Sequence, residues 1–233
     1  MTSFLPQKGT PVFCSWSGGK DCCLALYRAI QAGAQPRCLV SMLTEEGQRS
    51  RSHGLSNDVL NAQSASLGIP LVTRKTSWED YESTFISVLK EVRQSGIAAG
   101  VFGDIDTEAH REWECRVSAE ASMTAFLPLW QADRHALLEE FISSGFRAVV
   151  VAAKDPVPGE ALLGRTVDAA LVDELTRLGI DPCGEYGEYH TVVVNGPIFR
   201  KPIEVTPGRR LLRSGYWFLD LLTSPPTPRP RGS

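Results

Sequence analysis

The sequence predicts an α/β protein built on a mainly parallel sheet, with a smaller α/β part at its C-terminal end. Short apolar runs alternate with helix-period stripes, glycines sit where those stripes stop, and a Gly-rich turn joins the first strand to the first helix. Strands separated by helices of this length read as βαβ units, whose parallel sheets are covered on both faces.

Residues 12–15 form the first strand and run directly into the turn. From Lys20 onward, Cys23, Leu26, Tyr27 and Ile30 mark one helix face, and Gly33 supplies the C-terminal glycine. Residues 38–43 and 70–73 are further strands. Tyr81, Phe85, Val88, Leu89 and Val92 form the next stripe, which stops near Gly96, and residues 98–102 return to strand. In the second half, Leu137, Leu138, Phe141 and Ile142 mark a helix after Asp133. Residues 148–153 are a strongly apolar strand, and Val167, Ala170, Leu171, Leu175 and Leu178 mark another helix. The run CGEYGEYH then leads into a strand over 191–194, and hairpin-like segments continue to about residue 222. The expected division is an N-terminal part over 1–127, a C-terminal part over 128–223, and a disordered Pro-rich tail over 224–233.

Composition narrows the function classes. Hydrophobic residues are 42% and charged residues 22%, as in ordinary globular proteins, so a sizeable core is expected. The net charge of −3 argues against a dedicated nucleic-acid binder. The basic trio Arg209, Arg210 and Arg213 reads as a solvated hairpin rim. No basic stretch leads into a long apolar run, and none approaches the roughly 20 residues that span a bilayer. The six cysteines contain no CxxC pair and are too sparse for a disulfide scaffold, so reduced, buried thiols and a cytoplasmic location are expected.

In an open parallel sheet the ligand lies beyond the carboxyl ends of the strands. Three polar segments follow strands and should converge there: residues 15–21, 44–54 and 103–111. The first carries Ser15, Ser17, Gly18, Gly19, Lys20, Asp21 and Cys22. Two glycines let backbone approach a phosphate, and the helix start behind them favours an anion. Lys20 brings positive charge, and Asp21 can hold Mg²⁺ or a water on the phosphate. Neither GxxxxGK[ST] nor a dinucleotide fingerprint is present. His53 follows the second strand, where a ligand-facing role competes with that of an incidental loop histidine. Asp104 sits just past a strand end, as ligand-binding acids do, although a helix N-terminal acid has the same signature. His110 and His135 fall in helical patterns and are given no role.

The second motif is residues 183–191. Gly184 and Gly187 bend the chain, so that Glu185, Glu188 and His190 can face one pocket. Such groups can take up a proton or hold a cation. Zinc on Cys183 and His190 lacks further ligands.

SWSGGKD resembles the PP-loop of the ATP pyrophosphatase superfamily, a Rossmann-like, HUP-type fold, with Cys22 where the motif has serine. A thiol is the weaker donor. RSHG (51–54), LGIPL (67–71), VFGDI (101–105), PLW (128–130) and CGEYGEYHT (183–191) are similar, in that order, to segments of the diphthine–ammonia ligase family, over about residues 10–200. The resemblance implies ATP with Mg²⁺, adenylation of the diphthine carboxylate on elongation factor 2 or of a related carboxylate with loss of pyrophosphate, and displacement of AMP by ammonia. It implies phosphate contacts from Ser15 to Cys22 with His53 nearby. Catalysis would fall to Lys20, Asp21, Glu185, Glu188 and His190, and acceptor contacts to Asp104, Gly184, Glu185 and Glu188. Two other classes compete: a nucleotide-binding regulatory protein that has lost catalysis, and an RNA-modifying PP-loop enzyme. Cys22 favours the first; the acidic balance and the missing CxxC weigh against the second.

Overall fold

A computed structural model describes residues 4–223; the proline-rich tail expected from 224 on lies outside them. Strands β1 (Pro11–Ser15), β2 (Gln35–Leu43), β3 (Leu71–Lys75), β4 (Ala99–Val101) and β5 (Thr124–Phe126) form one wholly parallel sheet in the order β3-β2-β1-β4-β5. Strands β6 (Arg147–Lys154), β7 (Tyr189–Asn195), β8 (Val205–Arg213) and β9 (Tyr216–Thr223) form an antiparallel sheet in the order β7-β6-β9-β8.

The parallel sheet is apolar on both faces, as its crossovers require. Val12 and Cys14 of β1 point into one core with Leu39, while Phe13 points into the other with Val40 and Met42. On the Phe13 side lie α3 (Tyr81–Gln94) and α4 (Glu108–Glu120). On the other side lie α1 (Lys20–Gln31) and α2 (Asn57–Leu67), and beyond them the antiparallel sheet. Val150, Val192 and Leu219 of that sheet join Leu26 and Leu60 in one continuous core, so helices α1 and α2 are packed between two sheets.

Local chemistry explains most boundaries. Asp133 and Asp168 accept the N–H groups of Ala136 and Leu171, starting α5 (Arg134–Ser143) and α6 (Ala169–Arg177). Gly33, at φ +90°, turns the chain after α1 where a Cβ would be strained. Val167 precedes α6 rather than belonging to it; its side chain is buried in the same core.

Two helices carry no apolar stripe in the sequence. Helix α2 buries Gln63 and Ser66 beside Val59, Leu60 and Leu67, and α4 buries Glu114 and Ser118 beside Val117. Polar residues at buried positions erase the 3.6-residue signal. The basic trio does lie on the exposed face of β8, with Arg210 paired to Glu160. Five of the six cysteines are buried and all six are free; Cys115 is the exposed one. None of the described helices is long and apolar enough to cross a membrane.

Gly103, just beyond β4, packs against the backbone at the start of α1. A Cβ there would lie 2.8 Å from the Cys22 nitrogen and 2.9 Å from the Asp21 carbonyl carbon. Neither atom moves without shifting the loop. We expect Gly103→Ala to lower stability by about 1–3 kcal/mol and to weaken nucleotide binding together with it, checked by urea denaturation and by titration with ATP.

Candidate active site

The carboxyl ends of β1, β2 and β4 open into a cleft of about 520 Å³, within the size range of ligand pockets. The three segments expected to converge do so. Ser15, Ser17, Lys20, Asp21 and Cys22 line it, together with Arg51, His53, Gly103 and Asp104. Gly184, Glu185 and His190 close it from the second half of the chain.

The Gly-rich loop is held by contacts from far along the chain. The backbone N–H of Val193 in β7 donates to the Gly18 carbonyl at 2.9 Å. The Lys20 N–H donates to Thr191 Oγ1 at 3.1 Å, across 171 positions. Gln63, fully buried, donates its Nε2 to both Gly18 and Val193 carbonyls and accepts from Trp16 Nε1 at 2.9 Å. Loop, β7 and α2 are thereby locked into one unit. Gly19 needs its missing side chain, because a Cβ would lie 2.3 Å from His53 Cε1.

Lys20 is 5% exposed, and its ammonium meets both Asp21 carboxylate oxygens at 2.8 Å. Burial works to lower its pKa, but the charges of Asp21, Tyr189, Cys183 and Glu185 together outweigh burial, and the group is held protonated. This is a fixed cation at the mouth of an anion-binding turn. Cys22, in the place of serine, donates its thiol to the Gly19 carbonyl at 3.2 Å and accepts from Ser17 Oγ at 3.4 Å. Burial raises that thiol, while the hydrogen bonds with Cys23 and Ser17 lower it further, for a net fall. Its sulfur is spent on shaping the loop.

His53 and His190 pack with ring centroids 4.8 Å apart and planes tilted by 31°, and His53 Nδ1 lies 2.9 Å from the Thr191 carbonyl. Burial and the nearby Lys20 charge push His53 down to about 4; burial, His53 and Lys20 push His190 down to about 3. Both rings are neutral at pH 7. Unfolded chains take up protons on these rings near pH 6.5, whereas the folded pair does not until pH 4 and below. Stability conferred by the neutral pair is therefore present above pH 6.5 and lost as the pH falls from there toward 3. We expect urea midpoints to drop between pH 7 and pH 4.5, and His190→Gln to flatten that slope.

The loop at 183–188 is built on Asp181, which accepts the N–H groups of Cys183 and Glu185 at 3.0 Å and pairs with Arg134 at 2.7 Å. Glu185 projects into the cleft, and burial followed by the Asp21 charge raises its carboxyl to about 7. Glu188 departs from expectation. With Gly184 and Gly187 both at positive φ, the loop curls so that the Glu188 carboxylate accepts the Tyr186 N–H at 3.0 Å, and it is absent from the cleft wall. Among the described residues no group of three His, Cys, Asp or Glu is placed to hold a metal.

Several cleft residues carry no sequence signal. Arg51 donates to the Thr76 carbonyl and lies 4.8 Å over the Trp78 ring. Tyr81, Phe85 and Trp113 form an aromatic wall, with Trp113 5.3 Å from Phe85. Asp104 lines the cleft as expected, and its partner at 2.7 Å is His110, a histidine inside a helical pattern with no motif around it. Glu114, 4% exposed, stands beside it.

Comparisons with known proteins agree along most of the chain. Residues 11–125 match the diphthamide synthase N-terminal domain, and residues 133–222 match the diphthamide synthase C-terminal domain. The diphthine–ammonia ligase of Homo sapiens is 25% identical, covering 87% of this chain and 85% of that protein. The diphthine–ammonia ligase of Danio rerio is 26% identical, covering 85% and 87%. A crystal structure described as a predicted subunit of tRNA methyltransferase from Methanocaldococcus jannaschii overlaps 81% of this chain and 98% of its own, at 16% identity and a TM-score of 0.44. With both domain matches falling in order on the two sheets that build the cleft, the chain belongs to the diphthamide synthase family.

Proposed function

We propose that this chain is an ATP-dependent amidoligase, which adenylates the carboxylate of diphthine on elongation factor 2 and converts it to the amide with ammonia. The observation that carries the reading is the division of one cleft between a buried Lys20 at a Gly-rich helix start and Glu185 opposite it. The first end suits a triphosphate. The second offers a carboxyl near neutrality, suited to taking a proton from ammonium.

In this reading the nucleotide phosphates lie on residues 17–22, and the acceptor carboxylate attacks the α-phosphate as pyrophosphate leaves. Ammonia then attacks the acyl carbon and AMP departs. Lys20 steadies the negative charge on the phosphates, and Gln63 and Thr191 keep the loop in register. The packed, neutral His53 and His190 exclude water from the acyl-adenylate without adding a positive charge. Glu188 shapes the loop that presents Glu185.

Mg²⁺ would be held by Asp21 together with the nucleotide phosphates. A single carboxylate fits that arrangement, since Mg²⁺ commonly rests on one or two carboxylates plus substrate phosphates. When bound it supplies charge neutralisation on the phosphates.

The regulatory reading is disfavoured because Lys20, Asp21 and Glu185 converge on one cleft, more than binding a nucleotide needs. Incubation with ATP, Mg²⁺, ammonium and diphthine-bearing elongation factor 2 tests the proposal. Acceptor-dependent AMP and pyrophosphate are expected; ADP and phosphate would reject it.

A further inference from the structure

The cleft wall also carries two carboxyl groups outside the Gly-rich turn and the 183–188 loop. Asp104, from the loop after β4, and Glu114, from α4, both line its wall. The two carboxyl groups interact, each shifting the other, and His110 holds the outer side of Asp104 through Nδ1 at 2.7 Å. Glu114 is 4% exposed, yet its Oε2 has no hydrogen-bond partner among the described residues. An orphaned buried carboxyl oxygen is costly unless something fills its valence.

The surroundings narrow what that something is. Tyr81 and Trp113 stand on the same wall, 5.9 Å apart, and the Tyr81 hydroxyl senses the charge of both carboxyls. Acceptor oxygens beside aromatic rings suit a small cation with several N–H donors. A phosphate would be repelled. A metal ion would want more ligands than the pair and His110 provide, and no three-ligand cluster is present among the described residues. Glu185, whose charge Asp104 and His110 both sense, lines the same cleft.

We propose that Asp104 and Glu114 form the subsite that binds the ammonium ion and delivers its nitrogen to the acyl-adenylate. The inference deepens the amidoligase reading and rests on it. In the empty cleft two adjoining carboxyls share a proton, because burial and the Asp104 charge raise Glu114 to about 11. Ammonium replaces that proton, which leaves to solvent, and donates N–H bonds to Asp104 and to Glu114 Oε2. One ammonium proton then passes to Glu185. The nitrogen forms the C–N bond, the C–O bond to AMP breaks with its electron pair leaving on AMP, and the remaining extra proton goes to solvent.

Glu114→Gln tests this without disturbing the apo fold, since glutamine matches the protonated side chain in shape and charge. Ammonium chloride titrations should show KM for ammonium raised at least tenfold, with KM for ATP unchanged. Acceptor-dependent ATP–pyrophosphate exchange, which needs no ammonia, should stay at the wild-type rate, and the melting temperature should hold. Asp104→Asn should raise the ammonium KM likewise. An unchanged ammonium KM in both variants, with exchange intact, overturns the subsite alone. A rise in the ATP or Mg²⁺ requirement instead would assign the pair to the nucleotide and overturn it as well. Wild-type protein without acceptor-dependent exchange would overturn the amidoligase reading itself, and this inference with it.

Discussion

Lys20→Met should lower acceptor-dependent pyrophosphate release by about 10²–10³-fold, the loss that follows removal of one preorganised electrostatic group. Methionine keeps the buried stem and removes only the charge. Lys20 is 5% exposed and is fixed by both oxygens of Asp21, so the charge is in place before the nucleotide arrives. The fold should survive, because the Asp21 side chain is 31% exposed and water can take over its solvation. A melting curve lowered by no more than a few degrees, alongside the lost turnover, is the expected pair of results. Turnover within tenfold of wild type would remove Lys20 from the phosphate site.

Glu185→Gln should separate the two half-reactions. As a proton acceptor Glu185 must be ionised, and its carboxyl is raised to about 7 by burial and by the Asp21 charge, with Asp104 adding to the rise and Lys20 and Arg134 opposing it. The rate of amide formation should therefore climb with pH, with a midpoint near 7, and the climb should be absent in the glutamine variant. Loss of a general base costs about 10²–10⁴-fold. Amide formation should fall by that amount while ATP–pyrophosphate exchange changes by less than about threefold. Stopped assays from pH 5.5 to 9, with both products measured, distinguish the outcomes. Equal loss of both half-reactions would place Glu185 with the nucleotide.

Much of the architecture is legible in the chain itself. β1, α1, β2 and α3 fall where the periodicity and Gly33 place them, because apolar spacing and glycine backbone freedom act over a few residues. The residues 17–21 are legible for the same reason: two glycines, a lysine and an aspartate between a strand and a helix leave few chemical uses. The rule that ligands gather at strand carboxyl ends then brings in residues 51–53 and 103–104, which the cleft does contain.

Elsewhere the pattern is silent or misleads. Helix α2 presents Gln63 to the interior, and its amide serves three partners on two other elements, a use no local pattern records. Glu188 looks equivalent to Glu185 in the repeat GEYGEY, yet the positive φ of Gly187 turns it back onto its own loop. Glu114 reads as one more charge on a polar helix, and only the packing of α4 beside Asp104 buries it in the cleft.

By itself, then, the sequence determined the alternation of strands and helices outside α2, α4 and β5, the Gly-rich turn, and the apolar faces of the elements that carry a periodic stripe. Those follow from short-range sterics and from hydrophobic spacing. Tertiary structure alone decided that β7 roofs the loop, with Val193 and Thr191 bonded to Gly18 and Lys20, and that the cleft has a cationic end at Lys20 and an anionic end at Asp104 and Glu114. The physical reason is that hydrogen bonds and charges act through space, between residues whose separation along the chain leaves no periodic trace.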